Sequence, residues 1–136
     1  MTVKTKILAV SEDQVLVNLL RHGFNSGRYE VVSTEESGIQ LKNIIENEAP
    51  AFIVLDIVMP SLEGIRTCLQ LRQWTQTPIM MLSAWETDDN MVRGLNLACD
   101  TYLTEPFDMP ALKKRIEVTL NNPHPHPFTN IRVNAN

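Results

Sequence analysis

The sequence predicts an α/β fold in which five parallel strands form one sheet with helices on both faces. Short apolar runs alternate with amphipathic helical patterns five times along the chain. Two of these runs, residues 52–56 and 78–83, are almost entirely apolar, which is typical of strands buried on both faces of a parallel sheet. Parallel strands that alternate with helices are joined by right-handed crossovers, so we expect a doubly wound (βα)5 topology.

The limits of each element follow from the apolar runs and the breaks between them. The predicted strands are residues 6–10, 29–34, 52–56, 78–83 and 101–103. The first predicted helix begins after the polar residues 11–13. The other four cover residues 37–48, 63–74, 88–97 and 110–120. Pro110 suits the first turn of the last helix, where its missing N–H has no intrahelical partner to lose.

Apolar residues at helical spacing indicate which face of each helix meets the sheet. In the first helix we expect the inward residues to be Val15, Leu16, Leu19, Leu20 and Phe24, with Ser11 or Asp13 as the cap. In the next two helices we expect them to be Ile39, Leu41, Ile44, Ile45, Ile65 and Leu69, with Cys68 as a further candidate. These faces would cover both sides of the sheet.

Composition places the chain among single-domain globular proteins. Its 136 residues are 43% hydrophobic and 21% charged, and that length can bury one core but not two. The net charge of −4 argues against a nucleic-acid surface, which needs a clustered basic excess. No apolar run approaches the ~18 residues of a membrane span, and Cys68 and Cys99 form no CxxC motif. We therefore expect a cytoplasmic protein with no membrane association.

The polar residues of interest lie where predicted strands end. They are Ser11, Glu12 and Asp13 after the first strand, Asp56 at the third, Ser83 at the fourth and Glu105 after the fifth. Ligand sites of open α/β sheets lie outside the carboxyl ends of the strands. An aspartate that ends an apolar strand is costly to desolvate, so Asp56 needs a partner or a function. It could simply cap the next loop, but the neighbouring acids and hydroxyl favour a nucleophile or a metal ligand.

Residues 5–120 resemble a response-regulator receiver domain, the CheY-like form of the flavodoxin-like fold. The matching segments are KILAV, FIVLDIVMPSLEG, PIMMLSA, VRGLNLACDTYLTEPF and ALKKRI, and they follow in order with hardly a gap. The resemblance implies a non-enzymatic regulatory domain of two-component signal transduction whose partner is a sensor histidine kinase. It also implies that Asp56 is the phosphoacceptor, that Ser83 and Ala84 bind or accommodate the phosphoryl group, and that Tyr102 is the aromatic switch.

Two departures from the family pattern bear on this function. The family has a lysine where this chain has Glu105, and two adjacent acids where it has Ser11 and Glu12. Two unit charges ~4 Å apart interact by about 4 kcal/mol at an effective dielectric near 20, so repulsion in place of attraction disfavours a bound phosphoryl group. We expect an atypical receiver in which phosphorylation is weak or absent.

The same departures make Mg²⁺ a doubtful cofactor. The ion needs near-octahedral oxygen ligands at roughly 2.0–2.1 Å, whereas Glu12 is one methylene longer than aspartate and Ser11 carries no charge. A one-residue bulge would bring Glu12 and Asp13 into the paired role instead. The candidate ligands are therefore Glu12, Asp13 and Asp56.

The expected output is dimerisation coupled to DNA binding. In receivers attached to winged-helix (OmpR/PhoB-type) DNA-binding domains, the fourth helix, fifth strand and fifth helix pair across a two-fold axis, and Arg93, Asp100 and Arg115 match that face. Residues 121–136 begin as a linker rich in proline and histidine. Residues 128–134 are similar to the first strand of a winged-helix domain, so we expect DNA contacts only through a C-terminal domain absent from this chain.

Two other functions remain in view. A stand-alone adaptor could use the same helix–strand–helix face to bind a partner protein without phosphorylation. A phosphatase with an aspartate nucleophile would need a second aspartate two residues after Asp56, where this chain has Val58, so an enzyme is disfavoured.

Overall fold

The computed structural model describes residues 4–25, 27–57, 62–83, 100–104 and 108–121. Within them, five parallel strands form one sheet in the order β2-β1-β3-β4-β5. The strands are β1 (Thr5–Val10), β2 (Tyr29–Thr34), β3 (Phe52–Ile57), β4 (Ile79–Ser83) and β5 (Thr101–Thr104). The predicted fold class is confirmed, and the strand limits differ from the predicted ones by no more than one residue.

Four helices are described between and after these strands. They are α1 (Gln14–Gly23), α2 (Gly38–Glu48), α3 (Leu62–Trp74) and α4 (Met109–Asn121). The first begins where Asp13 accepts hydrogen bonds from the N–H groups of Val15 and Leu16, so Asp13 rather than Ser11 is the cap. The helix predicted at residues 88–97 and the linker predicted at 121–136 fall almost wholly outside the described residues.

The sheet separates two apolar cores. Alternate strand residues such as Leu8, Ile53 and Met81 pack with α2 and α3 on one face, and Ile7, Val54 and Met80 pack with α1 and α4 on the other. Full burial of each such side chain contributes about 1.5–3 kcal/mol. This two-sided burial explains why the central strands are apolar at successive positions.

The buried face of α1 differs from the predicted one. Val15 and Leu19 are 69% and 48% exposed, whereas Val17 is fully buried. The residues that pack inward are Leu16, Val17, Leu20 and Phe24. Since five of the six residues from 15 to 20 are apolar, their spacing permits several rotations of the helix, and contact with the sheet selects one. Ile39 at the start of α2 is likewise 65% exposed, because it lies away from the buried Leu41 and Ile45.

The register of the strands defines the edge at which chemistry can occur. Val10 pairs with Leu55 in the parallel ladder between β1 and β3, so Ser11 and Asp56 are the next residues along these two strands. The strand order reverses direction at β1, which has β2 on one side and β3 on the other. Crevices at such a switch point are the usual ligand sites of this architecture.

Candidate functional site

Asp56 lies at the carboxyl end of β3, where it is half-buried. Its Oδ2 accepts a hydrogen bond of 2.7 Å from the hydroxyl of Ser11. Ser11 follows β1 directly, and only 6% of its surface is exposed. The predicted convergence of strand ends therefore brings these two side chains into direct contact.

The two acids that follow Ser11 are placed differently from each other. The N–H of Asp13 donates to the Ser11 Oγ at 2.9 Å, while the Asp13 Oδ1 accepts from the N–H of Val15 at 2.9 Å and of Leu16 at 3.4 Å. The carboxylate of Asp13 is thus engaged at the start of α1. Glu12 is exposed to solvent.

The pKa of the Asp56 carboxyl is raised above its ordinary value. The main cause is burial, which disfavours the charged form, and the negative charge of Asp13 adds to it. The hydrogen bond from Ser11 acts in the opposite direction and is the second largest influence. Asp56 is thus a carboxylate held in a poorly solvated site, with a neutral donor as its described partner.

Two more of the predicted site residues lie on neighbouring strands. Ser83 ends β4, where it pairs with Ile57, one residue beyond Asp56. Tyr102 lies on β5, where it pairs with Met81. The backbone therefore brings Ser83 to the same sheet edge as Asp56. Ala84, Arg93 and Glu105 lie outside the described residues.

Comparison with known proteins identifies the family. Residues 7–117 match the family model for the response regulator receiver domain. The chain belongs to the response regulator receiver domain family. This assignment confirms the resemblance seen in the sequence, and it makes the chain a regulatory domain of the two-component type.

Curated relatives of this receiver domain are transcriptional regulators. The chain is 37% identical over 116 residues to the alkaline phosphatase synthesis transcriptional regulatory protein PhoP of Bacillus subtilis, covering 85% of this chain and 48% of the relative. It is 32% identical over 132 residues to the nisin biosynthesis regulatory protein NisR of Lactococcus lactis, covering 93% of this chain and 57% of the relative. The chain thus spans about half the length of these relatives.

Solved structures show the same fold. The N-terminal domain of the nisin resistance regulator NsrR superposes with a TM-score of 0.72 at 27% identity, covering 87% of this chain and 99% of that one. The BeF3-activated N-terminal receiver domain of Klebsiella pneumoniae RstA superposes with a TM-score of 0.72 at 26% identity, covering 86% of this chain and 99% of that one. The first is the N-terminal domain of a lantibiotic response regulator, and the second is a receiver domain.

Receiver domains commonly bind Mg²⁺ at the phosphorylation site, so the surroundings of the acids in this receiver domain bear on that ion. Asp13 caps α1, Glu12 faces solvent and Asp56 accepts from a hydroxyl. Within the described ranges, no three His, Cys, Asp or Glu side chains are grouped so as to hold a metal ion. Mg²⁺ in proteins usually keeps several waters and takes one or two carboxylates, and the described partner of Asp56 is the Ser11 hydroxyl rather than a second carboxylate.

The residues predicted for the dimer face have partners within this receiver domain. Asp100 forms an ion pair with Arg72 and accepts a 2.7 Å hydrogen bond from the N–H of Ile79. Arg115 on α4 is exposed and donates to the Thr101 hydroxyl at 2.9 Å. Asp100 is therefore engaged in the interior, whereas Arg115 remains at the surface.

Arg72 was not singled out in the sequence, yet it is fully buried. Besides Asp100, its guanidinium donates to the carbonyl oxygen of Thr77 at 2.8 Å. The available signal was the spacing on α3, where Arg72 follows Cys68 by four residues and Leu71 by one, both of them buried. A charge placed there must have a buried partner, and Asp100 supplies it.

In the part of the chain that the structure describes, the helices are too short or too polar for any of them to cross a membrane.

Proposed function

We propose that this chain is the receiver domain of a transcriptional response regulator in which Asp56 is the nominal phosphoacceptor but phosphorylation is weak or absent. The observation that carries the proposal is the contact between Asp56 and Ser11. A half-buried carboxylate at the end of the central strand is the feature a phosphoacceptor needs. Its described partner is the neutral hydroxyl of Ser11, at a sequence position where the family has an acid.

Charge at the sheet edge supports the weak phosphorylation. A phosphorylated Asp56 would carry about −2 charge, in place of the single negative charge of the carboxylate, near Asp13, whose charge already raises the pKa of Asp56. Glu105 occupies the sequence position at which the family has a lysine. A dianion is stabilised in proteins by arginine, lysine or metal ions, and Ser11 and Glu12 replace the acids that would hold the metal. Mg²⁺ binding is therefore expected to be weak.

The DNA-binding output of this response regulator is proposed by analogy with its curated relatives. PhoP of Bacillus subtilis is a transcriptional regulatory protein about twice as long as the aligned segment. By analogy, we assign DNA contacts to a domain outside the receiver fold and dimerisation to the face that carries Arg115. A sensor histidine kinase is the proposed partner, and it would be the source of any phosphorylation at Asp56. The cytoplasmic location expected from the sequence stays part of this proposal.

Phosphoryl analogues test the proposal directly. The chain is incubated with Mg²⁺ and either beryllofluoride or acetyl phosphate, and adducts are measured by mass spectrometry and NMR while light scattering reports the oligomeric state. We expect little adduct at Asp56 and an oligomeric state that does not change. Glu105→Lys is expected to raise the adduct yield, and Asp56→Asn is the control for adducts elsewhere. A stoichiometric adduct at Asp56 in the unaltered chain, formed with ordinary affinity, would refute weak phosphorylation.

A further inference from the structure

The Ser11 side chain is buried, and its hydroxyl both donates and accepts a hydrogen bond. It is one of two buried polar side chains among the described residues, the other being Arg72. Its hydroxyl donates to Asp56 Oδ2 at 2.7 Å and accepts from the Asp13 N–H at 2.9 Å. A serine hydroxyl has a single donor, so this donor is committed to the Asp56 carboxylate.

These two hydrogen bonds form a chain that ends on a negative charge. The backbone N–H of Asp13 polarises the Ser11 hydroxyl, and the hydroxyl is thereby a better donor to the carboxylate. The backbone of Asp13 is in turn fixed because its side chain caps α1. Asp56 is therefore anchored through Ser11 to the start of a helix by groups that carry no positive charge.

We infer that Ser11 is a positioning residue whose hydroxyl holds the Asp56 carboxylate in place of a divalent cation, so that the pocket keeps its arrangement without metal. The inference rests on the proposed function and deepens it by naming the residue responsible for metal independence. It also has a consequence for substitution. An aspartate at position 11 would bring a second carboxylate against Asp56, and two such charges require a shared proton or cation.

Titration of Mg²⁺ alone into four forms of the chain tests this inference. The forms are the unaltered chain, Ser11→Thr, Ser11→Asp and Ser37→Asp, studied by calorimetric titration and by thermal unfolding with and without Mg²⁺. Ser37 is an exposed residue that precedes α2 and makes no side-chain cap hydrogen bond. Ser37→Asp therefore adds the same charge after a neighbouring strand without a described contact to Asp56.

We expect Ser11→Asp to bind Mg²⁺ at least about tenfold more tightly than the unaltered chain, because a further carboxylate oxygen is available to the ion. Without Mg²⁺ its Tm should fall by several degrees, and Mg²⁺ should restore it. Ser11→Thr keeps the hydroxyl and should behave as the unaltered chain does. Ser37→Asp should gain no Mg²⁺ affinity.

The outcomes separate this inference from the proposed function. If the unaltered chain and a folded Ser11→Asp variant both fail to bind Mg²⁺, position 11 does not control metal binding and the inference is wrong, while the proposed function survives. If the unaltered chain itself binds Mg²⁺ as tightly as Ser11→Asp, both the inference and the atypical pocket are overturned. Circular dichroism establishes that each variant is folded, and a Ser11→Asp variant that does not fold even with Mg²⁺ also contradicts the inference.

Discussion

At the scale of single residues, the site depends on how a carboxylate is kept in a poorly solvated position. Asp56 loses hydration where β3 ends, and Asp13 adds an unfavourable charge. The Ser11 hydroxyl offsets part of both effects by donating to Oδ2. A hydrogen bond to a charged group contributes a net of about 1.5–3 kcal/mol. The fold thus tolerates Asp56 in its charged form but is not stabilised by that charge.

A stability measurement on Asp56→Asn follows from the raised pKa. Between its unfolded and folded pKa values, Asp56 binds more protons in the folded state, so the stability of the fold decreases as pH rises through the folded pKa. Asparagine is uncharged and can still accept from Ser11. We expect Asp56→Asn to raise Tm by a few degrees at pH 7, with the difference shrinking as pH falls towards the ordinary aspartate value of 3.8. Thermal unfolding of both forms across pH 3–8 checks this.

The control for that prediction is Asp108→Asn, since Asp108 is exposed and caps the start of α4 through the Ala111 N–H. An exposed cap loses little by this change, because asparagine is nearly as good a cap as aspartate. A Tm for Asp56→Asn that equals or falls below that of the unaltered chain at pH 7 would contradict the burial argument.

The sequence identified Asp56 and the residues after β1, but not the bond between Ser11 and Asp56. Strand patterning predicts which residues reach the sheet edge, because the carboxyl ends of parallel strands meet there. It does not give the register, and the contact depends on Val10 pairing with Leu55. From the sequence, Ser11 was therefore interpreted only as the loss of an acid that the family has at this position. In the structure its hydroxyl is the hydrogen-bond partner of Asp56.

At the scale of elements, one buried ion pair joins α3, β4 and β5. Arg72 lies in the last turn of α3, and its guanidinium pairs with the carboxylate of Asp100, which directly precedes β5. The Asp100 Oδ2 also accepts from the N–H of Ile79 at the start of β4, and the Asp100 N–H donates to the Ile79 carbonyl oxygen at 2.9 Å. Asp100 therefore fixes how the last two strands begin, through both its carboxylate and its backbone N–H.

Removing Arg72 should be far more damaging than removing a surface charge. Arg72→Met leaves the Asp100 carboxylate, whose side chain is 14% exposed, without its cation, and we expect a loss of about 3–5 kcal/mol in unfolding free energy. Lys6→Met removes the partly exposed pair with Glu48 and should cost about 0–1 kcal/mol. Urea unfolding of both variants measures the difference.

A second substitution tests the cause of that loss. Adding Asp100→Asn to Arg72→Met removes the uncompensated charge, so part of the lost stability should return. Equal losses for Arg72→Met and Lys6→Met, or no recovery in the double variant, would show that the buried charge is not what matters at this junction.

Element limits were more predictable than the rotation of each helix. Breaks such as the polar residues 11–13 and the cap at Asp13 mark where α1 begins. Nothing local decides which of its neighbouring apolar residues faces the sheet, and Val15 and Leu19 were placed inward although they are exposed. The rotation depends on contact with strands that are distant in sequence.

At the scale of the whole molecule, opposite faces of the sheet have different neighbours. The helices α2 and α3 pack on one face, and α1 and α4 pack on the other. The proposed dimer face includes β5, at the edge of the sheet, and α4. Asp100 is already paired with Arg72, so among the described residues of the predicted set Arg115 is the exposed one.

A charge reversal at Arg115 therefore tests the dimer at the level of assembly. Arg115→Glu should weaken self-association at least about tenfold, because the reversed charge would repel an acid of the second copy that the arginine attracts. It should cost little stability, since Arg115 is exposed and its bond to the Thr101 hydroxyl lies at the surface. Arg66→Glu makes the same charge change on α3, at an exposed position, and should leave association unchanged. Sedimentation velocity over a concentration series measures all three forms. A chain that stays monomeric at every concentration, or an Arg115→Glu variant that associates as the unaltered chain does, would exclude dimerisation through this face.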